Sequence, residues 1–142
     1  MSRRKIVSLI LIAVLTVTSI AAVTSCKKEE KAPETLEEYI EQSDSAKEEL
    51  KEISDSMSND LLDGTIEVQG NDMIMTLKYK ETYEESYFSD MKKAMEDKLD
   101  EYRSSFSDAL SNVEKESGIS DIGLKLVVLN GDGAEIYKAD LE

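Results

Sequence analysis

Apolar residues recur every three or four positions along several stretches of the chain, which is the spacing of amphipathic helices. The strongest run predicts a long helix that starts within residues 82–89 and ends near Glu116, where Gly118 is placed to terminate it. Its apolar stripe comprises Phe88, Met91, Met95, Leu99, Tyr102, Phe106, Ala109, Leu110 and Val113. Weaker runs follow Thr35 and Ser45, each of which opens a capping-box pattern. They predict either two short helices or one helix kinked at residues 43–45.

Strict alternation of apolar and polar residues predicts two β-hairpins, one before and one after the long helix. In the first, residues 65–69 and 73–79 flank Gly70-Asn71-Asp72. In the second, strands over residues 122–128 and 134–141 flank Asn130-Gly131-Asp132-Gly133. The inner face of the first hairpin is predicted to carry Ile66, Val68, Met73, Met75, Leu77 and Tyr79.

The order helix, hairpin, helix, hairpin predicts an α+β fold, with a four-stranded antiparallel sheet covered on one face by helices. The open face would carry a mixed set of residues: Glu67, Ile74, Thr76, Lys78, Lys125 and Val127. A helix of about 28 residues is about 42 Å long, whereas a seven-residue strand reaches only about 24 Å. The helix must therefore overhang or cross its own sheet, or else pair with a second copy. Packing on its own sheet is favoured, because two amphipathic hairpins need a cover; a homodimer through this helix is the alternative.

The start of the chain has the organisation of an export signal. Three basic residues, Arg3 to Lys5, precede an apolar run over residues 6–23, and small residues follow it. The segment Val23-Thr24-Ser25-Cys26 resembles the lipobox of bacterial lipoproteins. That resemblance implies a signal peptide over residues 1–25, cleavage before Cys26 and attachment of diacylglycerol to the Cys26 thiol. The protein would then be extracytoplasmic and anchored to the outer face of the cell membrane. The alternative is a retained transmembrane helix over residues 6–23.

The rest of the chain divides into a tether and one domain. Residues 26–34 hold the cysteine and a charged segment with the only proline, Pro33, and residues 35–142 are predicted to form a single acidic domain. After cleavage the chain would carry 14 basic and 31 acidic side chains, a net charge of −17. Such a charge argues against a nucleic-acid partner, since the phosphate backbone requires a basic surface.

Few residues are suited to catalysis or metal binding. The chain has no histidine and a single cysteine, so it lacks the commonest general base and metal ligand and cannot form an internal disulfide. Its acidic pairs, such as Glu37-Glu38, Glu48-Glu49 and Glu84-Glu85, are typical of solvated helix faces. The segment Asn130–Glu135 superficially resembles a calcium-binding loop. The remaining ligands of an EF-hand loop are missing, however, and a hairpin turn is favoured. We therefore predict no catalytic, metal or cofactor site, and no enzyme activity.

Four segments together resemble one recurring family. These are residues 35–40 (Thr-Leu-Glu-Glu-Tyr-Ile), residues 66–71 (Ile-Glu-Val-Gln-Gly-Asn), the long helix and the Asn-Gly-Asp-Gly turn at residues 130–133. The family consists of uncharacterised small lipoproteins of Gram-positive bacteria, built around a domain of unknown function. The resemblance implies an extracytoplasmic address and carries over no functional residue except Cys26.

These observations predict a non-catalytic binding or interaction domain. Its partner would be an envelope protein or a cationic ligand, bound through the open sheet face or an acidic helix face. The alternatives are a modulator or inhibitor of an envelope enzyme, by analogy of fold, and a small envelope enzyme that uses carboxylates.

Overall fold

A computed structural model describes residues 31–141 of the chain. The predicted signal peptide, Cys26 and the first part of the tether lie outside the described residues. The elements, in chain order, are α1 (Leu36–Gln42), α2 (Asp44–Met57), β1 (Leu62–Gln69), β2 (Asp72–Tyr79), a single 3₁₀ turn (Glu85–Tyr87), α3 (Phe88–Ser117), β3 (Gly123–Leu129) and β4 (Glu135–Asp140).

The N-terminal helical region consists of two helices, the first of the two possibilities that the sequence leaves open. The hydroxyl of Thr35 accepts a hydrogen bond from the Glu38 amide at the start of α1. Ser43 ends α1 and begins α2, because its hydroxyl accepts from the Ala46 amide. The long helix is also confirmed, and Gly118 terminates it in the left-handed conformation, with φ of 73°. Among residues 31–141, no helix combines the length and the apolarity that crossing a bilayer requires.

Both predicted hairpins are present, but the prediction of a purely antiparallel sheet is wrong. The strands are arranged in the order β1-β2-β3-β4. Strands β1 and β2 are antiparallel, as are β3 and β4. The two central strands are parallel, with Asp72 opposite Gly123 and Lys78 opposite Leu129. The protein is therefore α+β with a mixed four-stranded sheet.

The length of α3 explains the parallel pair. Its 30 residues extend about 45 Å, whereas an eight-residue strand extends about 27 Å. The helix can therefore carry the chain from the end of β2 back to the level of its start. Strand β3 then begins beside Asp72 and runs in the same direction as β2.

One hydrophobic core joins the helices to alternate residues of the strands. The residues predicted for the inner face of the first hairpin are buried, apart from the half-buried Val68. Seven residues of the α3 stripe are buried within the single chain: Met91, Met95, Leu99, Phe106, Ala109, Leu110 and Val113. The stripe is thus covered by its own domain along most of the length of the helix.

Two asparagines from the predicted turns hold distant parts of the chain together. The side chain of Asn71 accepts from the Leu36 amide at 3.0 Å and donates to the Ser120 carbonyl at 3.3 Å. At the opposite end of β2, Asn130 is only 1% exposed. Its side chain accepts from the Tyr83 amide at 2.9 Å and donates to the Tyr83 carbonyl at 3.0 Å. Each end of the sheet is therefore fastened by one asparagine side chain.

Helix α2 lies unusually close to β1 at Gly64. A Cβ atom at this position would overlap the Cβ of Met57, and it would lie 3.1 Å from the Met57 carbonyl carbon. Met57 is itself fully buried. The close approach of the helix to the strand therefore depends on a residue that has no side chain.

We expect Gly64→Ala to lower the free energy of unfolding by about 1–3 kcal/mol, because the added methyl group overpacks the contact with Met57. Urea denaturation measures the change. Thr65→Ala is the control, since Thr65 is the exposed neighbour on the same strand; it should change stability by no more than about 0.5 kcal/mol. Equal stabilities of the two variants would contradict the close packing.

Candidate functional site: an acidic cleft beside β4

A cleft of about 360 Å³ lies between the middle of α3 and the last strand. Its lining residues come from these two elements and the residue after β4: Glu96, Asp97, Leu99, Asp100, Arg103, Tyr137, Ala139, Asp140 and Leu141. Leu99 and Leu141 belong to the hydrophobic core, so the cleft lies on the boundary between core and surface.

Residue spacing explains how both elements contribute to the cleft. On α3, Glu96, Asp100 and Arg103 lie four and seven residues apart, so they share the helix face that carries Leu99. On β4, Tyr137 pairs with Val128 and Ala139 with Leu126, and both partners are fully buried. Residues that are directly opposite in a sheet share a face. Tyr137 and Ala139 therefore lie on the core side, towards the helix.

The lining residues are strongly acidic: Glu96, Asp97 and Asp100 of α3 and Asp140 of β4 accompany a single basic residue, Arg103. Arg103 pairs with Asp100 at 3.1 Å, and Lys92 reaches Glu96 at 3.9 Å. Within residues 31–141, Asp97 and Asp140 form no ion pair. The side chains of Glu96 and Asp100 are 49% and 71% exposed, so their ion pairs are weak. The cleft therefore keeps a negative potential that favours a cation.

The charge of the cleft affects the pKa of Tyr137. Burial raises the pKa of its phenol, and the carboxylates of Glu96 and Asp100 raise it further, whereas Arg103 lowers it. A phenolate is negatively charged, so both burial and adjacent carboxylates oppose its formation. Tyr137 thus remains a neutral phenol beside the acidic groups of α3.

The predicted open sheet face has less exposed apolar surface than its sequence suggests. Ile74, Val127 and Leu129 are each partly buried. Lys125 Nζ and Asp72 Oδ2 form an ion pair at 2.6 Å across β2 and β3. In the part of the chain that the structure describes, Tyr87 is the one large hydrophobic residue that is exposed, with 40% of its surface accessible to solvent, and it lies directly before α3. The cleft is the better-defined site.

Two of the acidic side chains noted in the sequence have structural contacts. Glu37 accepts from the Gly70 amide at 2.7 Å, which docks α1 on the β1–β2 turn. Glu38 accepts from the Glu34 amide at 2.8 Å, where the tether meets the domain. These hydrogen bonds give the Glu37-Glu38 pair a structural role.

The calcium-like segment forms a hairpin turn, as expected. The Gly133 amide donates to the Asn130 carbonyl at 2.9 Å, and the Ala134 amide donates to the Asp132 carboxylate at 2.9 Å. Among residues 31–141, no three potential metal-ligating side chains gather into a site that could hold an ion.

Sequence reasoning missed the cleft as a site. An acidic helix face was among the predicted binding surfaces, but Glu96 and Asp100, which are one helical turn apart, were not singled out. That spacing, next to an apolar stripe, is the available signal. The contribution of β4 depends on which strand lies beneath α3, which a local pattern does not contain.

We expect Glu96→Gln with Asp100→Asn to lower the pKa of Tyr137, because the variant removes two charges that oppose the phenolate. A pH titration followed by NMR of the tyrosine ring carbons measures the shift. Glu48→Gln, an exposed substitution on α2, is the control and should leave the titration unchanged. An unchanged Tyr137 pKa in the double variant would contradict the proposed electrostatics of the cleft.

Comparison with known proteins identifies a family but no activity. The sequence model of the family described as "Domain of unknown function (DUF4854)" matches residues 36–141. No curated protein and no solved structure matches the chain. The matched region runs from the first residue of α1 to the residue after β4, and it contains the whole cleft. The chain therefore belongs to the DUF4854 family, a domain of unknown function.

Proposed function

We propose that this protein is a non-catalytic, lipid-anchored binding domain, displayed at the outer face of the cell membrane, whose acidic cleft binds a cationic partner from the envelope. The observation that carries the proposal is the cleft itself, in which four acidic residues and one arginine line about 360 Å³ beside a strand at the edge of the sheet. The cleft lies where α3 meets β4.

Anchoring rests on the first part of the sequence. Cys26 follows an apolar run and small residues, the pattern in which a lipoprotein cysteine receives diacylglycerol. The two acyl chains of diacylglycerol are enough for stable attachment, so the domain itself need not bind lipid. The eight residues that follow Cys26 reach at most about 26–29 Å when fully extended. With a net charge of −17 after cleavage, the domain is repelled from anionic headgroups and remains free to meet a partner.

The charge of the cleft selects the partner. Exposed carboxylates attract cations over about one Debye length, roughly 8 Å at physiological salt. Glu96, Asp97 and Asp100 lie within five consecutive residues of α3 and act on the same ligand. Such complementarity raises association rates and excludes acidic partners, and it weakens as salt rises. We therefore assign the cleft to a cationic protein segment.

We expect Glu96→Gln with Asp97→Asn to weaken binding of an oligolysine peptide to the full chain by about tenfold or more at low salt, because two of the three acidic residues that α3 contributes to the cleft are neutralised. Fluorescence anisotropy of a labelled oligolysine peptide measures the affinity. Wild-type binding should also weaken as sodium chloride is raised.

Glu48→Gln with Glu52→Gln is the matched control. Both residues are exposed on α2 and do not line the cleft, and this variant has the same net charge as the cleft variant. It should bind the peptide nearly as well as the wild type does. Equal losses in the two variants would mean that overall charge, and not the cleft, attracts the peptide, and the proposal would fail.

We expect Cys26→Ser to release the protein from membranes, because the serine side chain cannot receive the thioether-linked lipid. Intact mass of the wild type should match residues 26–142 plus diacylglycerol, and membrane fractionation should separate the two forms. An unmodified full-length mass, with both forms in the membrane, would instead indicate a retained helix over residues 6–23.

A further inference from the structure

The two outer strands of the sheet, β1 and β4, differ in whether their outward backbone groups are hydrogen-bonded. Along β1, three amides that face away from β2 are bonded to side chains from α2 and the loop after it. The Ile66 amide donates to Ser54 Oγ at 3.1 Å, and the Gly64 amide donates to Ser58 Oγ at 3.0 Å. The Leu62 amide donates to Asn59 Oδ1 at 3.1 Å. From Leu62 to Ile66, these contacts occupy the donors that a further strand would need.

The outer edge of β4 has no such cover. The Leu141 amide donates to the Leu124 carbonyl at 2.8 Å, so Leu141 bonds inward to β3. Peptide groups alternate in direction along an antiparallel strand. Those of Lys138 and Asp140 therefore face outward, away from β3. Within residues 31–141, no strand lies beyond β4 and no hydrogen bond reaches these two outward peptide groups.

The uncovered edge lies beside the acidic cleft. Tyr137 and Ala139 are on the helix side of β4 and line the cleft, together with Glu96 and Asp100 of α3. A strand added to β4 would lie about 4.8 Å away, with alternate side chains on the helix side of the sheet. Those side chains would lie close to the carboxylates of α3. The other side chains would lie on the open face, beside Lys138.

We propose that the outer edge of β4 binds an extended basic segment of another protein by strand addition, with lysine or arginine at alternate positions directed into the cleft. This inference rests on the proposed function and specifies its ligand. Peptide groups of Lys138 and Asp140 supply the backbone hydrogen bonds, and the carboxylates of α3 select the side chains.

Charge complementarity decides between this partner and a second copy of the chain. Pairing β4 with β4 of a second copy would bring two sets of cleft carboxylates together, in chains that each carry a large negative charge. Like charges at such an interface are unfavourable. Alternating Lys138 and Asp140 also make this edge a poor match for a hydrophobic strand. A basic extended segment satisfies both the edge and the cleft.

Amide hydrogen exchange of the full chain in detergent, followed by NMR, tests the inference. The probe is a blocked peptide of alternating lysine and threonine. Its addition should slow exchange of the Lys138 and Asp140 amides several-fold, while the inward amides of Tyr137 and Ala139 change little. In the free protein, the two outward amides should exchange quickly.

Peptide variants separate strand addition from charge attraction. A permuted peptide, with its lysines consecutive, has equal charge and should bind about tenfold more weakly. N-methylation of the lysine amides or of the threonine amides removes donors of one alternating set. In an added strand only one set faces β4, so one methylated peptide should lose binding and the other should keep it. For an antiparallel addition, the sensitive set is that of the threonines.

Equal binding of all four peptides, without protection of Lys138 and Asp140, would overturn strand addition while leaving a charge-binding cleft intact. No binding of any cationic peptide at the cleft would overturn the proposed function as well. Protection of the two amides before peptide is added would also overturn the inference. In that case dilution would distinguish a second copy from another part of the same chain.

Discussion

The long helix α3 determines where the strands of the sheet lie, because it leaves the end of β2 and returns the chain to the level of its start. Strand β3 consequently runs parallel to β2 and occupies the centre of the sheet. Strand β4, which turns back from β3, must then be an outer strand. Since α3 also contacts β4, the acidic flank of the helix and an unpaired strand edge lie side by side. The candidate site follows from the path of one helix.

The remaining contacts hold that arrangement in place. Asn71 fastens α1 and the loop before β3 to one end of the sheet, and the buried Asn130 fastens the loop before α3 to the other. Helix α2 lies against β1 through the contact between Met57 and Gly64, and Ser54 of α2 and Ser58 after it bond to amides along the edge of that strand. A buried polar side chain is costly unless it is hydrogen-bonded. These hydrogen bonds therefore favour one arrangement of the loops and leave β4 as the open edge.

Much of the fold was predictable from residue periodicity, including the α+β class, both hairpins, the extent of α3 and its end at Gly118. The direction of β3 relative to β2 was not, because two hairpin patterns do not specify which of their strands pair. The length of α3 predicted that the helix overhangs or crosses its own sheet or pairs with a second copy, but the direction of β3 was not inferred from it. The turns at Asn71 and Asn130 were predicted, but their side-chain partners lie 35 and 47 residues away. The cleft escaped prediction for the same reason, since Glu96 and Tyr137 meet only after folding.

Acidic residues are spread over the whole domain, but the proposed function requires that cationic ligands bind at the α3–β4 cleft in preference to the rest of the surface. NMR chemical-shift mapping of the full chain during titration with oligolysine tests it most directly. A preferred site at the cleft predicts saturable shifts confined to residues 96–103 of α3 and residues 137–141 of β4 and the position after it. Small shifts spread evenly over α1, α2 and α3, without saturation, would contradict it and would show an acidic surface with no preferred site.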